Sequence, residues 1–78
     1  MLDLDQEREN LVVADRHITE GERRITEQLA RIATLAEDGH DTAQAEHLLR
    51  TFEETLAEWH GHRQSILASI ARLTAATP

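Results

Sequence analysis

Leu35-Ala36-Glu37-Asp38-Gly39-His40-Asp41-Thr42-Ala43-Gln44 is the stretch that decides how this 78-residue chain folds. Gly39 suits the left-handed C′ position that ends a helix, because it has no Cβ to clash at positive φ. Asp41 can cap a following helix, with Gln44 three residues later completing a capping box. One helix is therefore predicted to end near 37, a turn to occupy 38–41 and a second helix to begin near 42. A connection this short makes the two helices antiparallel neighbours.

Upstream of the turn, Leu4, Leu11, Ile18, Ile25 and Ile32 recur every seventh residue, which keeps one stripe on one helix face. Ala14, Gly21, Leu29, Leu35 and Ala36 fall between them and widen the stripe toward its C-terminal end. Downstream, Ala45, Phe52, Trp59, Ile66 and Leu73 repeat the period, interleaved by Leu49, Leu56, Arg63 and Ile70. Arg63 alone breaks the apolar rule there, and the single proline, Pro78, falls where it interrupts neither helix. The pattern predicts an all-α chain with one domain over 1–78. It is a coiled-coil-like antiparallel hairpin with helix 1 over about 3–37 and helix 2 over about 42–75.

Reversing the chain at 38–41 pairs residues whose numbers sum to about 81, such as Ile32 with Leu49, Ile25 with Leu56 and Leu11 with Ile70. The same register sets Trp59 over Gly21 and Ile66 over Ala14, large against small. A mid-helix glycine costs roughly 1 kcal/mol relative to alanine, so Gly21 is expected to make room for the indole. On the outer faces Glu20 with Arg24, Glu27 with Arg31 and Glu46 with Arg50 stand four apart, acid first. Each such pair supports its helix by about 0.2–0.5 kcal/mol.

Pairing the two stripes leaves Val12, Leu29, Ala33, Leu35, Leu48 and Leu67 beside the seam. A chain of this length buries a modest share of its surface, and one seam covers only one side of each helix. A homodimer of hairpins, closed into a four-helix bundle, is the expected remedy.

The 15 acidic residues against eight arginines leave a net charge of −7, the opposite of a phosphate-binding footprint, so no nucleic-acid partner is expected. Cysteine is absent, which removes disulfides, thiolate metal sites and thiol nucleophiles. Apolar runs are only a few residues long, and Met1-Leu2-Asp3-Leu4-Asp5 is acidic where a secretory signal would be basic. The expectation is a cytoplasmic protein with no membrane partner.

Chemistry-bearing residues gather at mid-hairpin: Asp15, His17, Glu22, Trp59, His60, His62 and Arg63 fall within about two turns of one another on this register. Arg63 is expected to be satisfied by Asp15 and Glu22, fixing register, and Gly21 with Trp59 to form the adjoining layer. These five, Asp15, Gly21, Glu22, Trp59 and Arg63, are the candidate structural or interaction residues. No catalytic, cofactor or metal residues are assigned. His60 and His62 point about 200° apart on a helix, and no Glu-x-x-His pair occurs on both helices. Two packed helices offer no concave oxyanion site for a hydroxyl nucleophile.

Glu58-Trp59-His60-Gly61-His62-Arg63 resembles the Glu-x-x-x-His-Arg segment of one histidine kinase subgroup, with Gln64 and Ser65 where that segment carries lysine and asparagine. That resemblance implies an accessory of histidine phosphotransfer or two-component signalling as the alternative function. Over residues 15–66 the chain also resembles a group of small uncharacterised proteins from α-proteobacteria. The residues that carry this are His17-Ile18-x-x-Gly21-Glu22, Gly39-His40-Asp41-Thr42 and Leu48-Leu49-x-x-Phe52-Glu53. The group implies a helical hairpin in a bacterial cytoplasm and carries no activity to transfer. The sequence expectation is thus a non-enzymatic interaction or scaffolding module that self-associates through its apolar faces and can present a further face to a protein partner.

Overall fold

A computed structural model of the chain describes residues 3–76, so the expectations for Met1, Leu2 and Pro78 lie outside the described residues. The described residues form two helices, α1 (Leu4–Glu37) and α2 (Ala43–Ala76), packed against each other as a hairpin. Asp3, placed inside helix 1 by the sequence reading, stands just outside it as the N-cap. Its carboxylate accepts the Gln6 N–H at 2.7 Å, and Asp5 and Glu7 follow in the first turn, where acids favour the helix dipole.

At the turn Gly39 takes φ +75°. Its N–H donates to the Ala36 carbonyl at 3.1 Å, and the His40 N–H donates to Leu35 at 2.9 Å, the paired bonds of a Schellman cap. The start of α2 differs from the expected capping box. The first helical bond runs from the Glu46 N–H to the Thr42 carbonyl at 2.9 Å, which makes Thr42 the capping residue. Asp41 accepts the Ala43 N–H at 2.9 Å, and the Thr42 hydroxyl donates to Glu46 at 3.1 Å. Gln44 takes no part, because moving the cap one residue along leaves it off the N3 position.

The cap also resets the register. Asp15 meets Arg63, His17 meets Trp59 and Gly21 meets Leu56, pairs whose numbers sum to about 77 rather than 81. The reason is the His40 to Leu35 bond: the chain has already folded back alongside α1 by residue 40, so α2 starts about one turn lower than a symmetric turn would place it. A slip of four residues keeps both heptad stripes inside and changes only the partners.

On this register every seam position of α1 lies level with one of α2. The α1 row is Leu4, Glu7, Leu11, Ala14, Ile18, Gly21, Ile25, Gln28, Ile32 and Leu35, all buried or half-buried. Glu7 and Gln28, missed as seam positions, are 3% and 6% exposed. Asn10 donates to Glu7 Oε1 at 2.8 Å, and Gln28 Nε2 donates across the seam to the Ala45 carbonyl at 2.8 Å.

The core is thin. Ala14, Ile18 and Ile66 are the buried apolar residues among those described. The molecule measures 63 × 16 × 14 Å with a radius of gyration of 17.8 Å, against about 11.5 Å for a compact domain of this length.

Candidate functional site

The seam has two flanks, and they differ. Heptad geometry puts Asp15, Glu22, Val12 and Leu29 of α1 on one flank, and His17, Glu20, Arg24, Glu27 and Arg31 on the other. The second flank is concave. Small or polar residues at Ala14, Gly21 and Gln28 alternate with the large aliphatics of α1, so the bulkier side chains of α2 stand up beside a trough. A cleft of about 310 Å³ opens there between His17, Gly21 and Arg24 on one side and Phe52, Leu56 and Trp59 on the other. A second of about 350 Å³ continues past Arg24, Gln28 and Phe52, and a third of about 620 Å³ reaches Leu35, Asp41 and Leu48 at the turn.

Trp59 forms the wall at the far end of this trough. Its ring stacks on His17 at 4.1 Å and 15°, and His62 meets it edge-on at 5.5 Å and 72°. Half-buried Trp59 therefore does not sit over Gly21, as the symmetric register implied. The occupant of that space is Leu56: a Cβ built on Gly21 would lie 3.2 Å from Leu56 Cδ1. His60 is exposed and stays apart from the stack, and no group of three His, Asp or Glu side chains among the described residues is placed to share a metal ion.

Arg63 points to the opposite flank, where its Nε donates to Asp15 Oδ1 at 2.6 Å. The Arg63 side chain is 34% exposed and that of Asp15 51%, so this is a wet bridge across the seam and not a buried pair. The long arginine stem suits a seam position level with Ala14, because aliphatic carbons lie along the groove while the charged head reaches water. Glu22 takes no part: it is exposed and makes no ion pair with Arg63 among the described residues, being about two turns from the level of residue 63 once the register slips.

The outer-face pairs also rearrange. Glu20 and Arg24 approach to 3.6 Å, but Glu27 bonds Arg23 at 2.7 Å instead of Arg31, and Glu46 accepts from Thr42 instead of pairing with Arg50. Arg23 bridges Glu20 and Glu27 at 2.7 Å each, and these carboxylates, Glu20 first, raise its already high pKa. Exposed ion pairs at i,i+3 and i,i+4 are nearly equal in energy, so local side-chain geometry selects among them.

No helix of the described residues is long and apolar enough to cross a membrane. No family model matches the chain, and no match was found among curated proteins or solved structures.

Proposed function

We propose that this protein is a self-associating interaction module: two hairpins pack into a homodimeric four-helix bundle that serves as a scaffold for a further protein partner and performs no catalysis itself. The observation that carries this reading is surplus surface. The chain exposes 5863 Å², where a compact 8.8 kDa protein exposes roughly 4,800 Å². The difference of about 1,100 Å² exceeds the roughly 800 Å² that each partner gives up in a standard protein interface. Val13 at 44% and Leu48 at 43% exposure on the trough flank, with Val12 at 57% and Leu29 at 52% on the other, leave large aliphatics wet on both sides of a lone hairpin. Each large side chain withdrawn from water contributes about 1.5–3 kcal/mol. The proposed setting is the bacterial cytoplasm implied by the α-proteobacterial resemblance.

Sedimentation equilibrium is the test. A species of twice 8.8 kDa, with a melting temperature that falls on dilution, is the expected result. A folded monomer whose melting temperature ignores concentration overturns the reading.

A further inference from the structure

Two flanks compete to receive the second copy, and charge separates them. Over the helices, the flank bearing Val12 and Leu29 carries Asp5, Asp15, Glu22, Glu46 and Glu53 against Arg8, Arg50 and Arg63, which reaches this side to pair with Asp15. The trough flank carries Glu20, Glu27 and Glu58 against Arg24, Arg31 and Arg72, three of each sign. For a chain of net charge −7, the second is the flank on which a like molecule approaches without stacking acid on acid. It is also the flank where Phe52, Leu56 and Trp59 line open clefts of a size that side chains from a neighbour fill.

The rim of the trough adds a pattern. Glu20, Arg24, Glu27 and Arg31 alternate in sign along α1, and all four line the clefts. A row reading minus, plus, minus, plus reads plus, minus, plus, minus from its other end. Laid antiparallel on itself, it meets opposite charge at each step, which is the self-complementarity that a two-fold interface requires. None of the four is buried in the hairpin: the Glu20, Arg24 and Glu27 side chains are 44%, 56% and 62% exposed.

We propose that the second copy docks on the trough flank, with α1 of one protomer antiparallel to α1 of its partner, so that Glu20 and Glu27 face the partner's arginine positions. This rests on the self-association reading and adds to it a face and a helix pairing. The surplus surface sets the occupant's size, and the alternating row makes the occupant a copy of this chain.

Two variants and their mixture test it. R24E/R31E makes the row wholly acidic, and E20R/E27R makes it wholly basic. At low ionic strength each is expected to raise the dimer dissociation constant about 10- to 100-fold relative to the parent, from like charges placed face to face. An equimolar mixture is expected to recover association as a heterodimer, which also shows that both variants still fold. Ala57→Glu, on the opposite flank, is expected to leave the dimer intact. Emission from Trp59, the only tryptophan, shifts to shorter wavelength as the parent associates. If the row variants dimerise like the parent while Ala57→Glu dissociates it, the second copy sits on the acidic flank and the proposal is wrong. If the mixture associates no better than its components, the α1 pairing is wrong. A parent that sediments as a monomer at every concentration overturns the self-association reading itself.

Discussion

The two helices have the same length and the same heptad period, yet they shape the seam in opposite ways. In α1 each large aliphatic is followed three residues later by Glu7, Ala14, Gly21, Gln28 and, last, Leu35. In α2 nearly every seam position is bulky: Leu49, Phe52, Leu56, Trp59, Ile66, Ile70 and Leu73, with Arg63 the charged exception. The trough is thus made by what α1 leaves out, and its aromatic lining by what α2 supplies. Stability and site are thereby divided between the helices, since the buried apolar side chains of both close the hairpin while the small and polar residues of α1 keep one flank open.

The largest break in that comparison is expected at the few residues that close the seam. Ile18→Ala and Ile66→Ala each remove a buried aliphatic, 7% and 4% exposed, one from each helix. Each is expected to cost about 2–5 kcal/mol in urea unfolding at a concentration that saturates any dimer. If one loss were negligible, the two helices would not share the core.

Gly21→Leu comes next, because it fills the trough from the α1 side. A Cβ at Gly21 already lies 3.2 Å from Leu56 Cδ1, while one at Gly61 meets nothing within 4 Å. Overpacking at Gly21 is expected to cost about 1–3 kcal/mol. Gly61→Leu, in open space on a helix, is expected to be neutral or slightly stabilising. The second-site response identifies the neighbour: Leu56→Ala should relieve Gly21→Leu and Trp59→Ala should not. Relief by Trp59→Ala instead would restore the symmetric register.

Glycine-to-alanine changes sharpen the contrast between a turn and a helix face. At Gly39, φ is +75° and an L side chain is strained, so Gly39→Ala is expected to destabilise by about 1 kcal/mol or a little more. At Gly61 the backbone is helical and nothing crowds a Cβ, so Gly61→Ala is expected to stabilise by about 0.5–1 kcal/mol. Thermal melts of the two variants side by side should move in opposite directions.

These contrasts also show what can be read without a structure. The heptad stripes and the Gly39 stop are local: a seven-residue period and a glycine at C′ mean the same thing in almost any helical context, and both elements appear within a residue of their expected ends. Register is not local. An apolar heptad stripe packs equally well after a slip of three or four residues, so periodicity alone cannot choose between sums of about 77 and about 81. The choice lies in two backbone bonds, from Gly39 and His40 to Ala36 and Leu35, and a glycine at C′ is equally compatible with the single-bond αL cap. Everything tied to register moved with it, including the tenant of Gly21 and the separation of Glu22 from Arg63. Glu7 and Gln28 were legible in principle, since counting three residues on from Leu4 and Ile25 reaches them. Their polarity hid them, because an apolar template skips any polar residue that a hydrogen bond has made tolerable in the seam.

The smallest effect expected is at the Asp15 to Arg63 bridge, and it tests whether polar seam groups stabilise the hairpin or only align it. The bond is short, 2.6 Å, but both side chains keep substantial contact with water. Water screens the attraction, and holding a long arginine in one rotamer costs entropy, so Asp15→Asn is expected to lose about 0.2–1 kcal/mol. The loss should shrink as salt is raised, because the pair lies where ions reach it. Arg63→Met removes the charge and keeps an unbranched stem level with Ala14, so it is expected to match or exceed the parent in stability. If the bridge fixes alignment, Arg63→Met should also loosen the register, seen as weaker hydrogen-exchange protection around mid-hairpin at unchanged helicity. A loss above about 2 kcal/mol for Asp15→Asn, insensitive to salt, would mean the pair is desolvated in the functional assembly. That outcome would move the second copy onto the acidic flank, where it would cover Asp15.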